Sequence, residues 1–270
     1  MRRIMLTLVA IAVVIALDGC TRVDANLDPK TVFGSGHVVE ETRDVAPFTK
    51  VELIGFGTLH VTQGTAPSLT VSADDNLMPL VRRVVADGIL TLRVGKADPR
   101  LLLSPTKLDF SATVVSLDQI TVSDYGRVVV DGLQGKALRV DVAGAAAVAM
   151  TGLDLTALKA TLSGGGSLSA AGKASSQDVS ILGTGDYVGG RLASRKAKVK
   201  SDGAGRATVR VSDSLGATIT GAGRIDYLGD PKLTQTVTGP GAVKRIAEPA
   251  ATPAASPSAR VSSRVDFELL

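Results

Sequence analysis

The sequence predicts an all-β fold, a parallel β-helix in which coils of 18–20 residues stack into a solenoid. Three observations predict it. A glycine-centred motif returns seven times in the second half of the chain, apolar residues alternate with period two around each copy, and only 3% of the residues are aromatic. A repeat this short cannot bury its own apolar face, so neighbouring copies have to share one continuous core.

The glycine motif defines the corners of the solenoid. Its seven copies end at Gly126, Ala146, Gly166, Gly185, Gly205, Gly223 and Gly241. Most copies read Gly-x-Gly, and glycine suits a corner because it tolerates the positive φ and the close backbone approach that a bend between strands demands. Asp124 replaces the first glycine of one copy and Ala146 the second glycine of the next, which predicts two looser or differently turned bends.

The residues around each corner predict strands. The residue that lies four positions before the last residue of each copy is apolar in every copy but one, which has Ser201. These residues are Val122, Val142, Leu162, Ile181, Ser201, Ile219 and Val237. The residues that lie two positions after the last residue of each copy are Val128, Val148, Leu168, Tyr187, Ala207, Ile225 and Val243. Alternation of this kind is typical of strands with one buried and one solvated face, and no helical spacing persists. Both series, Tyr187 included, are predicted to point into the core.

Composition predicts a slim interior. The chain is 44% apolar but contains no Trp, so Ala, Val, Leu and Gly would fill the core. Coils that repeat every ~4.8 Å along the axis also leave little room for isolated bulky side chains. Residues 33–246 are enough for one elongated domain.

Residues 1–19 are predicted to be a signal peptide. Arg2 and Arg3 form a basic start, and Ile4 to Leu17 form an apolar stretch of 14 residues, which is too short to span a bilayer. The mature protein is therefore expected to be exported to the cell envelope.

The end of the leader resembles the lipobox of bacterial lipoproteins. In the run Leu17-Asp18-Gly19-Cys20, Cys20 would carry the lipid that anchors the protein in the membrane, and it is the only cysteine of the chain. Residues 20–32 would then be a tether. Asp18 is unusual in this motif, so cleavage after Ala25, which leaves a soluble periplasmic or secreted protein, stays open as the alternative.

Positive charge is concentrated in one part of the repeats, although the net charge of +4 is too small to imply a nucleic-acid partner. Lys196, Lys198 and Lys200 alternate with apolar residues, so three ammonium groups would project from one strand. With Arg206 and Arg224, which share a column of the repeat, they form a candidate ligand-facing basic patch. Two interpretations stay open: a solvated face that discourages edge pairing, and contact with anionic lipid head groups or acidic polysaccharide.

The segment before the repeats is predicted to be a strand-rich cap, because an exposed first coil would leave its core and backbone edge open. Gly55-Phe56-Gly57 indicates an eighth corner, and Leu69 to Ser72 a strand that returns after a loop. Asp87-Gly88 suits the type I′ turn of a hairpin. Asp74-Asp75, the best acidic pair of the chain, is predicted to cap a turn.

The Pro/Ala/Ser-rich residues 247–270 are predicted to form a disordered tail. Its last six residues, Val265-Asp266-Phe267-Glu268-Leu269-Leu270, are either unstructured or a docking peptide.

Several short runs resemble the start of the GIN domain, a family described as putative auto-transporter adhesin head domains. The runs are Gly34 to Val39, Arg43 to Val45, Val51 to Gly57, Leu59 to Gly64, Ala73 to Leu77 and Asp87 to Leu90. The Gly-x-Gly corners fit the rest of that domain, so the resemblance covers about residues 33–246. It implies a right-handed β-helix in an exported, often lipid-anchored, bacterial envelope protein. It implies no reaction, because the family has no agreed catalytic residues.

The sequence offers little for catalysis or metal binding. His37 and His60 are the only histidines, lie on separate segments and have no Cys or paired carboxylates at ligand spacing. The glycines belong to no hydrolase elbow, phosphate loop or nine-residue calcium repeat. We therefore expect neither a cofactor nor an enzyme.

Two functions stay open. The favoured one is a non-catalytic binding or structural module, tethered in the envelope and adhesive through its long regular surface, with a glycan or another envelope protein as partner. The alternative is a carbohydrate-active β-helix enzyme, a polysaccharide lyase or glycosidase, which would need carboxylates and basic groups that converge in a groove.

Overall fold

The computed structural model describes residues 30–94 and 101–247, most of which lie in strands. The predicted signal peptide, Cys20, most of the predicted tether and the tail from residue 248 on lie outside these residues. Strand β1 (Lys30–Phe33), which includes the last residues of the predicted tether, pairs in parallel with β8 (Leu101–Ser104). The remaining described strands form one 17-stranded sheet. In this part of the chain no helix is long and apolar enough to cross a membrane.

The coils of the solenoid are built from twelve strands, and all pairings among them are parallel. They are β3 (Lys50–Ile54), β4 (Thr58–Gln63), β10 (Gln119–Val122), β11 (Arg127–Asp131), β12 (Gln134–Gly144), β13 (Ala147–Gly164), β14 (Ser167–Gly183), β15 (Asp186–Gly203), β16 (Arg206–Thr220), β17 (Arg224–Leu228), β18 (Lys232–Thr238) and β19 (Ala242–Arg245). The fold is therefore the predicted parallel β-helix.

Each coil has three sides. The first face consists, in this order, of β3, β10, the carboxyl-terminal halves of β12 to β16, and β18. Each of these strands pairs with the next one. On the second face, β4, β11, the amino halves of β13 to β16, β17 and β19 pair in the same order. A short third side leads from the second face to the first face of the next coil. Glycine corners separate the first face from the second.

The corners repeat one geometry from coil to coil. Gly164, Gly183 and Gly203 have φ values of +114°, +129° and +134°, and a Cβ on Gly203 would lie 2.5 Å from the carbonyl oxygen of Gly183. Glycine is therefore required both by the backbone angle and by the stacking. Asp124 adopts the left-handed conformation at φ +60°, which Asp tolerates, and its carbonyl accepts the N–H of Ala145 at 2.8 Å. Contrary to the sequence-based expectation, this corner keeps the hydrogen-bond ladder of the others.

The two apolar series fill the core as predicted. Tyr187 is 1% exposed, and the isolated Ser201 is fully buried in the position that apolar residues occupy in the neighbouring coils. The exceptions are in the last coil, where Val237 is 39% exposed and Val243 is only partly buried. The core is thus continuous along the axis and ends at the carboxyl-terminal coil.

The predicted cap closes the other end of the solenoid. It consists of β2 (Val38–Arg43), β5 (Ser68–Asp74), a 3₁₀ turn (Met78–Leu80), β6 (Val81–Ala86), β7 (Ile89–Val94) and β9 (Leu108–Val114). β6 and β7 form the predicted hairpin, and Asp87 and Gly88 both have positive φ, as a type I′ turn requires. The coil of β3 and β4 stacks directly on that of β10 and β11, which confirms the eighth corner: Gly57 O accepts the N–H of Arg127 at 2.9 Å.

The returning strand belongs to β5, but its pairing is long-range. β5 pairs antiparallel with β2 and β9, and β9 lies between β5 and β4. The partner strand β9 comes about 40 residues later in the sequence, so a local pattern does not reveal it.

The carboxylate of Asp74 ties the cap together. It is fully buried and accepts the backbone N–H groups of Gly36 at 3.0 Å and Thr106 at 2.9 Å, as well as the Thr106 hydroxyl. The hydrogen bond from the Thr106 side chain is the main reason why the pKa of Asp74 lies below its ordinary value. Asp74 therefore caps turns, as predicted, and its partner Asp75 accepts the hydroxyl of Ser35 at 2.5 Å.

Candidate functional site

A groove of about 690 Å³ runs along the third side of the solenoid. It is lined by residues 154–155, 173–175, 193–195, 210–212 and 229–230, which come from five successive coils. The groove is therefore parallel to the axis and lies in the carboxyl-terminal half of the domain, away from the cap.

The third side is concave because the strand ladder is irregular there. The pairing of β15 with β16 shifts register between Gly189 and Ala193, and again between Ser194 and Lys196. At the far end of the groove, Gly229 has φ +102°, and a Cβ on it would lie 2.1 Å from the carbonyl oxygen of Val211. The backbone of one coil is thus pressed against the next, and no larger residue fits at Gly229.

The floor of the groove is apolar and its rim is polar. Leu155, Ala174 and Val211 are 4%, 3% and 1% exposed and belong to the buried core. Serine hydroxyls and five charged side chains surround them: Asp154, Lys173, Arg195, Arg210 and Asp230. The groove therefore offers hydrogen-bond donors and acceptors along its whole length, and cations and carboxylates nearly balance.

Several rim groups are held by neighbours. Arg195 Nε donates to Asp213 Oδ2 at 2.9 Å, and Arg210 Nε donates to the carbonyl oxygen of Gly190 at 2.9 Å. The Ser212 hydroxyl, 2.6 Å from the Asp213 carboxylate, and then Arg195 hold the pKa of Asp213 below its ordinary value. Both guanidinium groups on the rim thus have a hydrogen-bond acceptor within the protein.

A buried chain of hydrogen bonds connects the core with the wall of the groove. The Tyr187 hydroxyl donates to Gln177 Oε1 at 2.7 Å, and Gln177 Nε2 donates to Ser194 Oγ at 2.8 Å. Ser194 Oγ in turn donates to the carbonyl oxygen of Arg210 at 2.7 Å. Burial raises the pKa of Tyr187 above its ordinary value, so the hydroxyl stays a neutral donor. This chain fixes the wall at two neighbouring coils.

The carboxylates that line the groove do not form a catalytic pair. Asp154 and Asp230 are four coil steps apart, or ~19 Å at ~4.8 Å per step. Paired carboxylates of glycosidases lie ~5–9.5 Å apart. Among the described residues, no three His, Cys, Asp or Glu side chains come together as metal ligands would.

The structure divides the sequence-predicted basic patch between two faces. Lys196, Lys198 and Lys200 project outward from the first face, and Lys200 Nζ lies 2.7 Å from Asp202 Oδ2. Arg206 and Arg224 are register partners on the second face, beyond the corner. Arg224 is held by both carboxylate oxygens of Asp226, at 2.9 and 2.8 Å. Cys20, the predicted lipidation site, lies outside the described residues.

Sequence reasoning did not find the groove. Its lining residues are spread over 77 positions, and none of them belongs to the basic patch that the sequence predicted. A second glycine series, Gly132, Gly152 and Gly172, recurs every 20 residues and marks the start of the third side. This series is the signal that could have located a third side in three of the coils.

Comparisons with known proteins agree with this architecture. A family model described as "Putative auto-transporter adhesin, head GIN domain" matches residues 47–231, more than half of the chain. The chain belongs to the GIN-domain family. The match includes the solenoid from β3 onward, the cap strands β5, β6, β7 and β9, and all coils that line the groove. No match is found among curated proteins.

Solved structures share the GIN-domain fold. A putative adhesin from Bacteroides fragilis has a TM-score of 0.71 at 24% identity, with 80% of this chain and 100% of that chain covered. A putative adhesin from Parabacteroides merdae has a TM-score of 0.64 at 23% identity, with coverage of 80% and 99%. A putative lipid binding protein from Parabacteroides distasonis has a TM-score of 0.69 at 20% identity, with coverage of 81% and 100%. At these identities the likeness concerns the fold.

Proposed function

We propose that this GIN domain is a non-catalytic, adhesive binding module of the cell envelope that holds an extended, hydroxyl-rich glycan in the groove on its third side. The observation that carries the proposal is the groove itself, which crosses five coils with polar side chains above an apolar floor. A linear polymer lying along the axis would meet a charged side chain in each coil, a carboxylate in the first and last and a cation in the three between them.

The chemistry of the groove fits a glycan better than a strongly charged ligand. Sugar hydroxyls are both donors and acceptors, and the rim supplies carboxylates at Asp154 and Asp230 and cations at Lys173 and Arg195. The floor of Leu155 and Val211 suits the apolar C–H surface of a sugar ring. No aromatic residue is among the groove residues, so each sugar would be bound weakly. Many copies on one cell would turn such weak contacts into firm attachment.

The leader and the relatives support the same role. The predicted lipid on Cys20 would keep the domain on a membrane outside the cytoplasm, and the family description names an adhesin head. Two of the similar structures are described as adhesins and one as a lipid binding protein. The partners that we propose are therefore the membrane, through Cys20, and a glycan. The alternative of a glycosidase lacks a carboxylate pair in the groove. The alternative of a polysaccharide lyase, which needs no such pair, is tested by the release of new reducing ends.

The proposal is tested by binding to immobilised linear polysaccharides, neutral dextran and acidic alginate among them. We expect Lys173→Ala with Arg195→Ala to weaken binding about ten-fold or more, because each removes charged hydrogen bonds to the ligand. The matched control, Lys198→Ala with Arg206→Ala, removes the same charge from the sequence-predicted patch and should change binding less than about two-fold. Loss in the control but not in the groove variant would assign binding to that patch. Release of new reducing ends would instead indicate an enzyme.

The location is tested separately by protease treatment of intact cells. An epitope placed in residues 248–262 should be lost from wild-type cells if the domain faces the medium, as an adhesive role requires. Protection until the outer envelope is opened would contradict adhesion and favour a periplasmic scaffold. Release of Cys20→Ala into the soluble fraction is the expected sign of the lipid anchor.

A further inference from the structure

A second cavity, of about 420 Å³, lies next to the amino-terminal end of the groove. It is lined by residues 136–139 of β12, by Ala157 and Lys159 of β13, and by Asp118. The first coil of the groove is also that of β13, where Leu155 precedes Ala157 by two residues. The cavity therefore continues the groove toward the cap, shifted from the third side onto the start of the first face.

Small side chains shape the cavity and its border with the groove. Ala137 and Ala157 are register partners on neighbouring coils, and the buried Leu138 lies beside them. Gly135 is the register partner of Leu155, and a Cβ on it would lie 3.7 Å from Leu155 Cδ2. Gly135 therefore places no side chain beside the groove floor at the point where the cavity begins.

The charge of the cavity differs from that of the groove. Three cations line the cavity, Lys136, Arg139 and Lys159, against one carboxylate, that of Asp118. Arg139 and Lys159 are register partners on neighbouring coils, a placement in which like charges repel each other. An anion bound between these two side chains would remove the repulsion.

The three cations are available to a ligand. Arg139 Nε donates to Asp141 Oδ2 at 2.6 Å, so this carboxylate orients the guanidinium group through Nε and leaves its two Nη groups for a further acceptor. Lys136 and Lys159 form no ion pair with any carboxylate in residues 30–94 and 101–247. This includes Asp178, the register partner of Lys159 on the next coil.

We propose that this cavity binds an acidic group of the glycan whose chain lies in the groove. The group is an oxyanion, the carboxylate of a uronic acid or a sulfate ester, which Arg139 and the two lysines hold through charge-assisted hydrogen bonds. The inference rests on the proposed function, because the groove holds the rest of the glycan. It also gives the ligand a direction, with the acidic sugar nearest the cap and the other sugars toward the carboxyl-terminal coils.

Matched oligosaccharides test this inference. One pair is an alginate oligosaccharide and the same compound after chemical reduction of its carboxylates to alcohols; the other is sulfated and unsulfated dextran. In at least one pair the acidic form should bind the purified chain about ten-fold or more tightly than the neutral form, because it adds charge-assisted hydrogen bonds. The pair that shows the preference identifies the group as a carboxylate or a sulfate. Equal affinity of the acidic and neutral forms in both pairs would overturn the inference.

Two double variants assign the preference to the cavity. Lys136→Ala with Lys159→Ala should reduce the preference to less than about two-fold and leave binding of the neutral form unchanged. The matched control, Lys196→Ala with Lys198→Ala, removes the same charge from the same face two coils away and should keep the preference. All four lysines are exposed, so both variants should keep the fold. An equal loss in the two variants would overturn the inference, because the general charge of the face would then explain the preference.

Methyl-labelled NMR separates this inference from the proposed function. The acidic form should shift the methyl groups of Ala137 and Ala157 in the cavity together with those of Leu155 and Val211 in the groove. The neutral form should shift only the groove methyl groups. Groove shifts with both forms but no cavity shift with the acidic form would overturn the inference alone. No groove shift with either form would contradict the proposed function, and the inference with it.

Discussion

The two ends of the solenoid differ in how the apolar core is covered. At the amino-terminal end, residues 64–118 are inserted between β4 and β10. Two strands of this insertion, β7 and β9, pair in parallel with β3 and β4 of the first coil, and their other partners, β6 and β5, pair with them antiparallel. At the carboxyl-terminal end, the coils stop at β18 and β19 without a described cover. The comparison shows that a coil does not terminate itself. Closing the core takes strands that leave the 18–20-residue repeat.

The two ends also differ in what they offer to a partner. The closed end is fixed by a buried carboxylate, Asp74, which accepts hydrogen bonds from two separate loops. The groove lies in the coils toward the carboxyl-terminal end, where the surface is regular and the third side is concave. The cap therefore gives stability, and the later coils present the binding surface.

The largest expected effect comes from the coils between the two ends. Gly203→Ala places a Cβ 2.5 Å from the carbonyl oxygen of Gly183 on a backbone with φ +134°. We expect it to lower the free energy of unfolding by about 2–4 kcal/mol, measured by chemical denaturation. Gly216→Ala is the matched control, because no atom lies within 4 Å of the new Cβ. An equal loss in both variants would mean that corner stacking does not decide stability.

A smaller loss should follow from breaking the closed end. In Gly34→Ala the new Cβ would lie 2.2 Å from Asp74 Oδ2 and displace the carboxylate from its donors. We expect a loss of about 1–3 kcal/mol in the same measurement, with hydrogen exchange accelerated first in β2 and β5. Faster exchange confined to the later coils would contradict a local role for this cluster.

The closed end should also respond to acid through Asp74. Its pKa is lower in the folded protein than in the unfolded chain, so its stabilising contribution is complete above about pH 4 and is lost as pH falls through the folded value. Asp74→Asn should therefore be less stable than the parent near pH 7, and the difference should shrink toward pH 3. Denaturation curves measured across this pH range test whether the stability difference shrinks in acid. A difference that grows in acid would exclude this explanation.

The smallest effect is expected at the carboxyl-terminal end of the described chain. Gly239→Ala repeats the corner substitution at φ +110°, with the new Cβ 2.8 Å from Gly221 O. Because only one coil stacks on this corner among the described residues, the last coil can fray while the others stay folded. We expect less than about 1 kcal/mol of global destabilisation, against the larger loss in Gly203→Ala. A comparable loss in the two variants would show that the last coil is as firmly held as the middle.

The sequence predicted the periodic parts of this fold well. The corners and the two inward series follow from residues that recur every 18–20 positions, and even Tyr187 and Ser201 lie where the pattern places them. The hairpin turn at Asp87-Gly88 was also predictable, because its φ values depend on two adjacent residues. Structural features that depend on a sequence repeat or on adjacent residues could therefore be predicted from the sequence.

Structural features that depend on residues far apart in the sequence could not be predicted. β9 pairs with β4 and β5 across the cap, and no local pattern announces that pairing. The groove combines residues from five coils, each unremarkable in its own segment. The basic patch shows the converse, because Lys200 and Arg206 are close in sequence but separated by the corner at Gly203. Basic residues that are close together in the sequence therefore lie on two different faces of the solenoid.

A methyl-labelled NMR titration with an oligosaccharide from the best-binding polysaccharide tests the central claim most directly. We expect shifts of the Leu155 and Val211 methyl groups on the groove floor. Leu182 and Val188, which are exposed on the first and second faces, should not move. Shifts confined to Leu182 or Val188 would place the ligand on a flat face and contradict the groove as the binding site.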